Sequence, residues 1–140
     1  MAAPQISEPT PSPYRILTLD GGGAKGFYTL GILREIEGMV GGRPLCEIFD
    51  LIFGTSTGAI IAAMLATGRK VDDIYQQYHD HVPTIMKERN PAGKSEQLER
   101  LAHDIFGDAT FNDVKTGVGI VTVRRQMIWL RLALGSAECR

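Results

Sequence analysis

The 140-residue chain is poor in the features that mark stapled, metal-bound, nucleic-acid-binding or membrane-spanning proteins. Its two cysteines, Cys46 and Cys139, lie far apart and form no metal-ligand pattern. A reduced, intracellular setting is the simplest reading of so few thiols. Neither sign of charge dominates: the net charge is −1, with acids and bases mixed along the chain. There is no basic patch or stripe, which argues against nucleic acid as a partner. No apolar run approaches the length needed to cross a bilayer. The opening stretch MAAPQISEPTPSP holds four prolines in thirteen residues and lacks the basic and hydrophobic regions of a signal peptide. Residues 1–13 read as a disordered leader. The expectation is a cytoplasmic protein that meets any lipid from the water side, at most as a peripheral contact. Internal repeats are also missing.

What is present is an ordinary globular composition, 44% apolar, in a length that suits one domain with its own core. RILTL, residues 15–19, reads as a short strand running into a tight Asp-Gly turn. Past Gly26 the period changes: Phe27, Leu30, Leu33, Ile36 and Val40 recur at three and four residues, as on one face of a helix. Gly41, Gly42 and Pro44 stop it. EIFDLIF, residues 47–53, reads as a second buried strand, followed by Gly-Thr-Ser-Thr-Gly and a short apolar helix closed by Gly68. Val71, Ile74, Tyr75, Tyr78 and Val82 form an amphipathic stripe whose end Pro83 should disturb. Leu98, Leu101, Ala102 and Ile105 form another, with Ser95 as its expected N-cap. VGIVTV, residues 118–123, is the third strand. Strands alternating with helices imply an α/β fold with a largely parallel sheet. In such sheets ligands sit beyond the carboxyl ends of the strands, where both Gly-rich turns fall.

Those turns are LDGGGAKG, residues 19–26, and FGTSTG, residues 53–58. Gly21, Gly23 and Gly26 fit the dinucleotide fingerprint G-x-G-x-x-G, which also demands an acidic residue at the end of the second strand. That strand ends in Phe53-Gly54-Thr55-Ser56, and Asp50 is placed within it, so the fingerprint fails its second requirement. A P-loop fails as well, because Lys25 is followed by Gly26. The second turn reads better as a nucleophile elbow, G-x-S-x-G between a strand and a helix. Gly54 and Gly58 give the room for a sharp turn, and the helix beginning near Thr57 aims its positive end at Ser56. A Gly-Ser-Gly turn before a helix also occurs for structural reasons alone. The glycine triplet Gly21, Gly22 and Gly23 separates the two readings, because it can present backbone N–H groups to an oxyanion beside the serine.

Together, LTLDGGGAKGFYTLGILREIE and FDLIFGTSTGAIIAAMLA resemble the patatin-like phospholipase family, over about residues 14–124. The resemblance implies a three-layer α/β sandwich, with a mainly parallel central sheet and helices on both faces. It implies a Ser–Asp dyad hydrolase that cleaves acyl esters of phospholipids without cofactor, metal or catalytic histidine. Ser56 matches the nucleophile, and Gly21, Gly22 and Gly23 match the oxyanion hole, with the Gly22 and Gly23 amides as donors. Lys25 holds the basic position of the first motif, in a supporting role. Asp20 opens that motif and is expected to anchor the turn by hydrogen bonds.

One element of the family pattern is missing. Its catalytic aspartate stands in a D-G-[GA] motif downstream of the serine, and no such motif follows Ser56. Asp72, Asp73, Asp80, Asp104, Asp108 and Asp113 read as solvated helix faces and caps. A triad through Asp80 and His103 has no local sequence support, and His79 and His81 are spaced to face different ways. The domain is therefore expected to be truncated, with low activity or none. An exposed sheet edge and poor solubility should accompany the truncation. Residues 125–140, RQMIWLRLALGSAECR, crowd apolar residues without a clear period; a buried strand or a membrane-touching surface would fit, and the favoured reading is an atypical tail foreign to the domain. The alternative is a catalytically dead module that binds lipid or a partner.

Overall fold

The structure, a computed structural model, describes residues 12–122 and 130–133. Most of the leader and most of the tail lie outside these residues. The chain adopts an α/β fold. Strands β1 (Ile16–Leu19), β2 (Leu51–Thr55) and β3 (Gly117–Val121) are parallel, and β4 (Leu130–Ala133) is antiparallel to β3. Their order in the sheet is the order in the chain. Right-handed crossovers therefore carry the helices of both parallel connections to the same side. Helices α1 (Gly26–Met39), α2 (Thr57–Ala66), α3 (Val71–Lys87) and α4 (Pro91–Phe106) fill these connections.

The register separates the faces. Leu17, Ile52 and Val118 form one row and Leu19, Gly54 and Ile120 the next, both turned towards α2. Ile16 and Thr18 on the other face are exposed, and Leu51 and Phe53 are half-buried. The helical layer expected on that side is not among the described residues. Helices on both faces require the strand order to reverse, and β1, β2 and β3 do not reverse it.

The central helix α2 is apolar nearly all round and buries Ile61, Ala62, Met64, Leu65 and Ala66, as expected of a helix packed against sheet and helix at once. It rests on the sheet, α3 packs against both α2 and α1, and α4 packs on α3. Three expectations are corrected. The second strand begins at Leu51, because Leu45–Glu47 makes a 3-10 turn that buries Leu45 and Cys46. Asp50 precedes that strand, and its carboxylate accepts the Arg15 N–H at 2.7 Å. Helix α3 runs on through Pro83 to Lys87, since Val82 and Ile85 on its inner side join the core. The N-cap of α4 is Asn90, whose side chain accepts from Ala92 N–H at 3.0 Å ahead of Pro91. Ser95 lies a turn further in, and its hydroxyl donates to the Pro91 carbonyl at 3.1 Å.

Candidate active site

Strands β1 and β2 end side by side, with Leu19 paired to Gly54, so the two Gly-rich turns meet at the carboxyl edge of the sheet. Ser56 sits between β2 and α2 with φ 51° and ψ −124°. Among the described residues it is the sole non-glycine with positive φ. Such a conformation costs an L-residue about 1–3 kcal/mol. The chain adopts the same angles at the end of α4, φ 52° and ψ −124°, and there the residue is Gly107.

The turn is as crowded as it is strained. A Cβ on Gly54 would collide with the Gly58 carbonyl, and one on Gly58 with the Leu19 and Asp20 carbonyls. A Cβ on Gly21 would lie 2.7 Å from Ser56 Cβ. The glycine loop is therefore pressed directly against the serine.

Two threonines on either side of Ser56 hold that loop. Gly21 N–H donates to Thr55 Oγ1 at 3.0 Å, and Gly23 N–H donates to Thr57 Oγ1 at 3.2 Å. Lys25 N–H donates to the Gly22 carbonyl at 3.2 Å. The buried Tyr78 of α3 donates its phenol to the Gly23 carbonyl. Gly22, at φ 146°, is the one of the three glycines whose N–H finds no acceptor among the described residues. The first-turn N–H groups of α2, Thr57 and Gly58, have no intrahelical acceptor either and carry the positive end of the helix dipole. Gly23 is thus occupied where the sequence assigned it as a donor, and Gly22 with the α2 N-terminus remains.

The other motif residues have different surroundings from those the sequence suggested. The exposed Asp20 side chain makes no hydrogen bond among the described residues, so the anchoring expected of it comes from Thr55 and Thr57. Lys25 is exposed, and its aliphatic stem lies over Gly22, 3.3 Å from where a Cβ would stand. Gly26 is buried, and its missing side chain makes room for the Tyr78 phenol. Burial raises the Tyr78 pKa, against opposing hydrogen bonds from Thr57 and the Gly26 backbone.

No general base reaches the serine: Ser56 Oγ has no hydrogen-bond partner among the described residues. Asp80 pairs with His79 at 3.2 Å, Asp72 pairs with Arg34, and Asp113 closes a capping box with Thr110. Asp73, Asp104, Asp108 and His103 are exposed. Among the described residues no group of His, Cys, Asp and Glu could hold a metal ion. An apolar cavity of about 240 Å³ is lined by Phe106, Phe111, Val118 and Ile120. Its nearest α2 residue, Ala63, is about two helical turns past Ser56, so the cavity is separate from the elbow.

The family model for patatin-like phospholipase matches residues 17–133. The chain belongs to the patatin-like phospholipase family. The matched range includes β4, within the segment whose composition had set it apart from the domain. This patatin-like chain is 57% identical over 110 residues to a cUMP-AMP-activated phospholipase of Escherichia coli, covering 79% of the chain and 34% of the relative. It is 34% identical to a cGAMP-activated phospholipase of Vibrio cholerae, covering 88% of the chain and 41% of the relative. Phospholipase A I of Arabidopsis thaliana is 42% identical over 93 residues, covering 62% of the chain and 7% of the relative. The chain thus spans well under half the length of these relatives.

Sequence reasoning missed three residues of this patatin-like site: Thr55, Thr57 and Tyr78. The threonines occupy the variable places of G-x-S-x-G, where two hydroxyls beside a glycine loop were a readable signal. Tyr78 had none, being one member of an apolar helical stripe.

Proposed function

We propose that this chain carries the nucleophile and oxyanion elements of a lipid acyl hydrolase, a phospholipase A or esterase. Ser56 Oγ attacks the carbonyl carbon of an acyl ester. Gly22 N–H and the first-turn amides of α2 receive the developing oxyanion, with Gly21 and Gly23 shaping the loop around it. The observation that carries this reading is the conformation of Ser56. The chain leaves φ 52°, ψ −124° to glycine at Gly107 but holds a serine at φ 51°, ψ −124°. It does so where a helix N-terminus and a glycine loop converge. Strain kept at a hydroxyl in that setting fits a nucleophile far better than a structural turn.

The family mechanism uses a Ser–Asp dyad. No D-G-[GA] motif follows Ser56 within these 140 residues, so they do not themselves supply the base that would take the hydroxyl proton. Turnover by this chain alone is expected to be low, the residual rate coming from the oxyanion donors. The reaction needs no cofactor or metal. Among the described residues no helix is long and apolar enough to cross a membrane. The substrate class of the proposed reaction places the chain at a lipid surface, as a peripheral contact. By their names, two relatives are phospholipases activated by cyclic dinucleotides. We extend to this chain the hydrolase part of that description.

The test is intact-mass analysis after treatment with a fluorophosphonate probe, beside Ser56→Ala. One adduct that disappears in the mutant is the expected result. No adduct from a folded chain would reject the hydrolase reading and favour the second one, a catalytically dead module that binds lipid or a partner. That alternative predicts vesicle binding unchanged in Ser56→Ala.

A further inference from the structure

The hydrogen bonds around the glycine loop include one that reaches outside both motifs. The Tyr78 phenol donates to the Gly23 carbonyl, and Gly23 N–H donates to Thr57 Oγ1, so both backbone polar groups of Gly23 are held by side chains. Tyr78 is 2% exposed and stands 55 residues away from Gly23 in sequence. Its ring is fixed edge-on by Phe27, with centroids 4.9 Å apart and planes at 88°. The chain gives up a side chain at Gly26 to admit the phenol, since any Cβ there would strike the Tyr78 ring.

We propose that Tyr78 is a positioning residue for acyl transfer, holding the glycine loop so that Gly22 N–H stays aimed at the oxyanion site beside Ser56. This rests on the reading of Ser56 as the nucleophile. Three glycines in a row explore many backbone states when free. Oxyanion stabilisation depends on donors that are already oriented before charge develops. Thr55 fixes the loop at Gly21 and Thr57 at Gly23, but both belong to the elbow itself. Tyr78 is the tie from a separate element, α3, so it fixes the loop relative to the body of the fold. Because burial raises its pKa, the phenol keeps its proton, and its donor role, throughout the neutral range.

The test compares the full chain with Tyr78→Phe, which keeps the packed ring and removes only the hydroxyl. Two readouts are taken: the kinetics of Ser56 labelling by a small fluorophosphonate, and amide hydrogen exchange across residues 21–26. Loss of the tie should lower the limiting labelling rate about tenfold, as a small misplacement of catalytic groups does. The half-saturating probe concentration should stay unchanged. Exchange should accelerate at 21–26 while the centres of α2 and α3 keep their protection. Thr57→Val should accelerate the same amides, and Thr57→Ser should restore their protection. The double variant Tyr78→Phe/Thr57→Val should be little worse than Thr57→Val alone, since both bonds hold the same residue, Gly23. Wild-type labelling and unchanged exchange in Tyr78→Phe would overturn the proposal. So would a slowing fully accounted for by a smaller folded fraction. If the unsubstituted chain never labels, the hydrolase reading fails on its own, and unchanged exchange at 21–26 in Tyr78→Phe would then reject the tie separately.

Discussion

Replacing Ser56 by glycine should make the protein more stable while removing its function. At φ 51°, ψ −124° a Cβ clashes with its own backbone, and about 1–3 kcal/mol of strain is held there. Glycine relieves this strain. It also gives the unfolded chain more freedom, which returns about 0.5–1 kcal/mol. Little else is lost, because Ser56 is exposed and its hydroxyl has no partner among the described residues. The net gain is about 1 kcal/mol, equivalent to about 3 °C in Tm for a domain of this size. Ser56→Ala is the control, since it removes the hydroxyl and keeps the Cβ. Thermal and urea unfolding should place Ser56→Gly above both wild type and Ser56→Ala, with the last two nearly equal. Neither variant should label. A glycine variant no more stable than the alanine variant would refute the claim that strain is stored at this serine. The case for an elbow rather than an ordinary turn would weaken with it.

Gly58→Ala should act in the opposite sense: its Cβ would strike the Leu19 and Asp20 carbonyls, and backbone cannot yield as a side chain tip can. A loss of about 2–3 kcal/mol is expected, near the upper end for overpacking, read as a lower urea midpoint at unchanged slope. The Thr110–Asp113 capping box should give a pH signature. Hydrogen bonding from the Thr110 backbone, then from its side chain, lowers the Asp113 pKa. Its contribution is therefore present above the unfolded value of about 3.9 and is lost as pH falls through the folded value. Asp113→Ala should accordingly destabilise at pH 7, and its difference from wild type should shrink towards pH 3. A difference that stays constant over that range would remove Asp113 ionisation as the cause.

Periodicity made the helices and strands legible and left several of their ends obscure. Leu30 and Leu33, or Ile74 and Tyr78, declare a helix because one face must be buried. In the run from Glu47 to Phe53 apolar residues stand on both sides of Asp50, so apolarity alone does not separate the turn that buries Cys46 from the strand that begins at Leu51. Pro83 reads as a breaker, yet at that position the packing of Val82 and Ile85 outweighs one lost backbone hydrogen bond. Asn90-Pro91 was the readable start of α4, because proline at the first helical position needs no N–H partner. That the described helices all lie on one side of the sheet is also a topological consequence. It follows from strand order, which a single sequence does not display.

The site divides along the same line. Gly54, Ser56 and Gly58 were legible because steric demands at a strand-to-helix turn restrict residue type at fixed spacing, and such restrictions appear as a motif. The donors of the proposed oxyanion hole were not legible to the same degree. Three glycines offer three N–H groups, and the motif alone does not say which are spent on holding the loop. That is decided across strands, where β1 and β2 pair Leu19 with Gly54 and so bring Thr55 to Gly21 and Thr57 to Gly23. A loop with all its amides free would be too mobile to act as an oxyanion hole, and a loop with all of them bonded would have nothing to offer. This chain bonds the outer two and leaves Gly22 between them. The threonines beside the proposed nucleophile therefore set which donor remains, and substitutions at Thr55 or Thr57 should alter the proposed oxyanion site without touching Ser56.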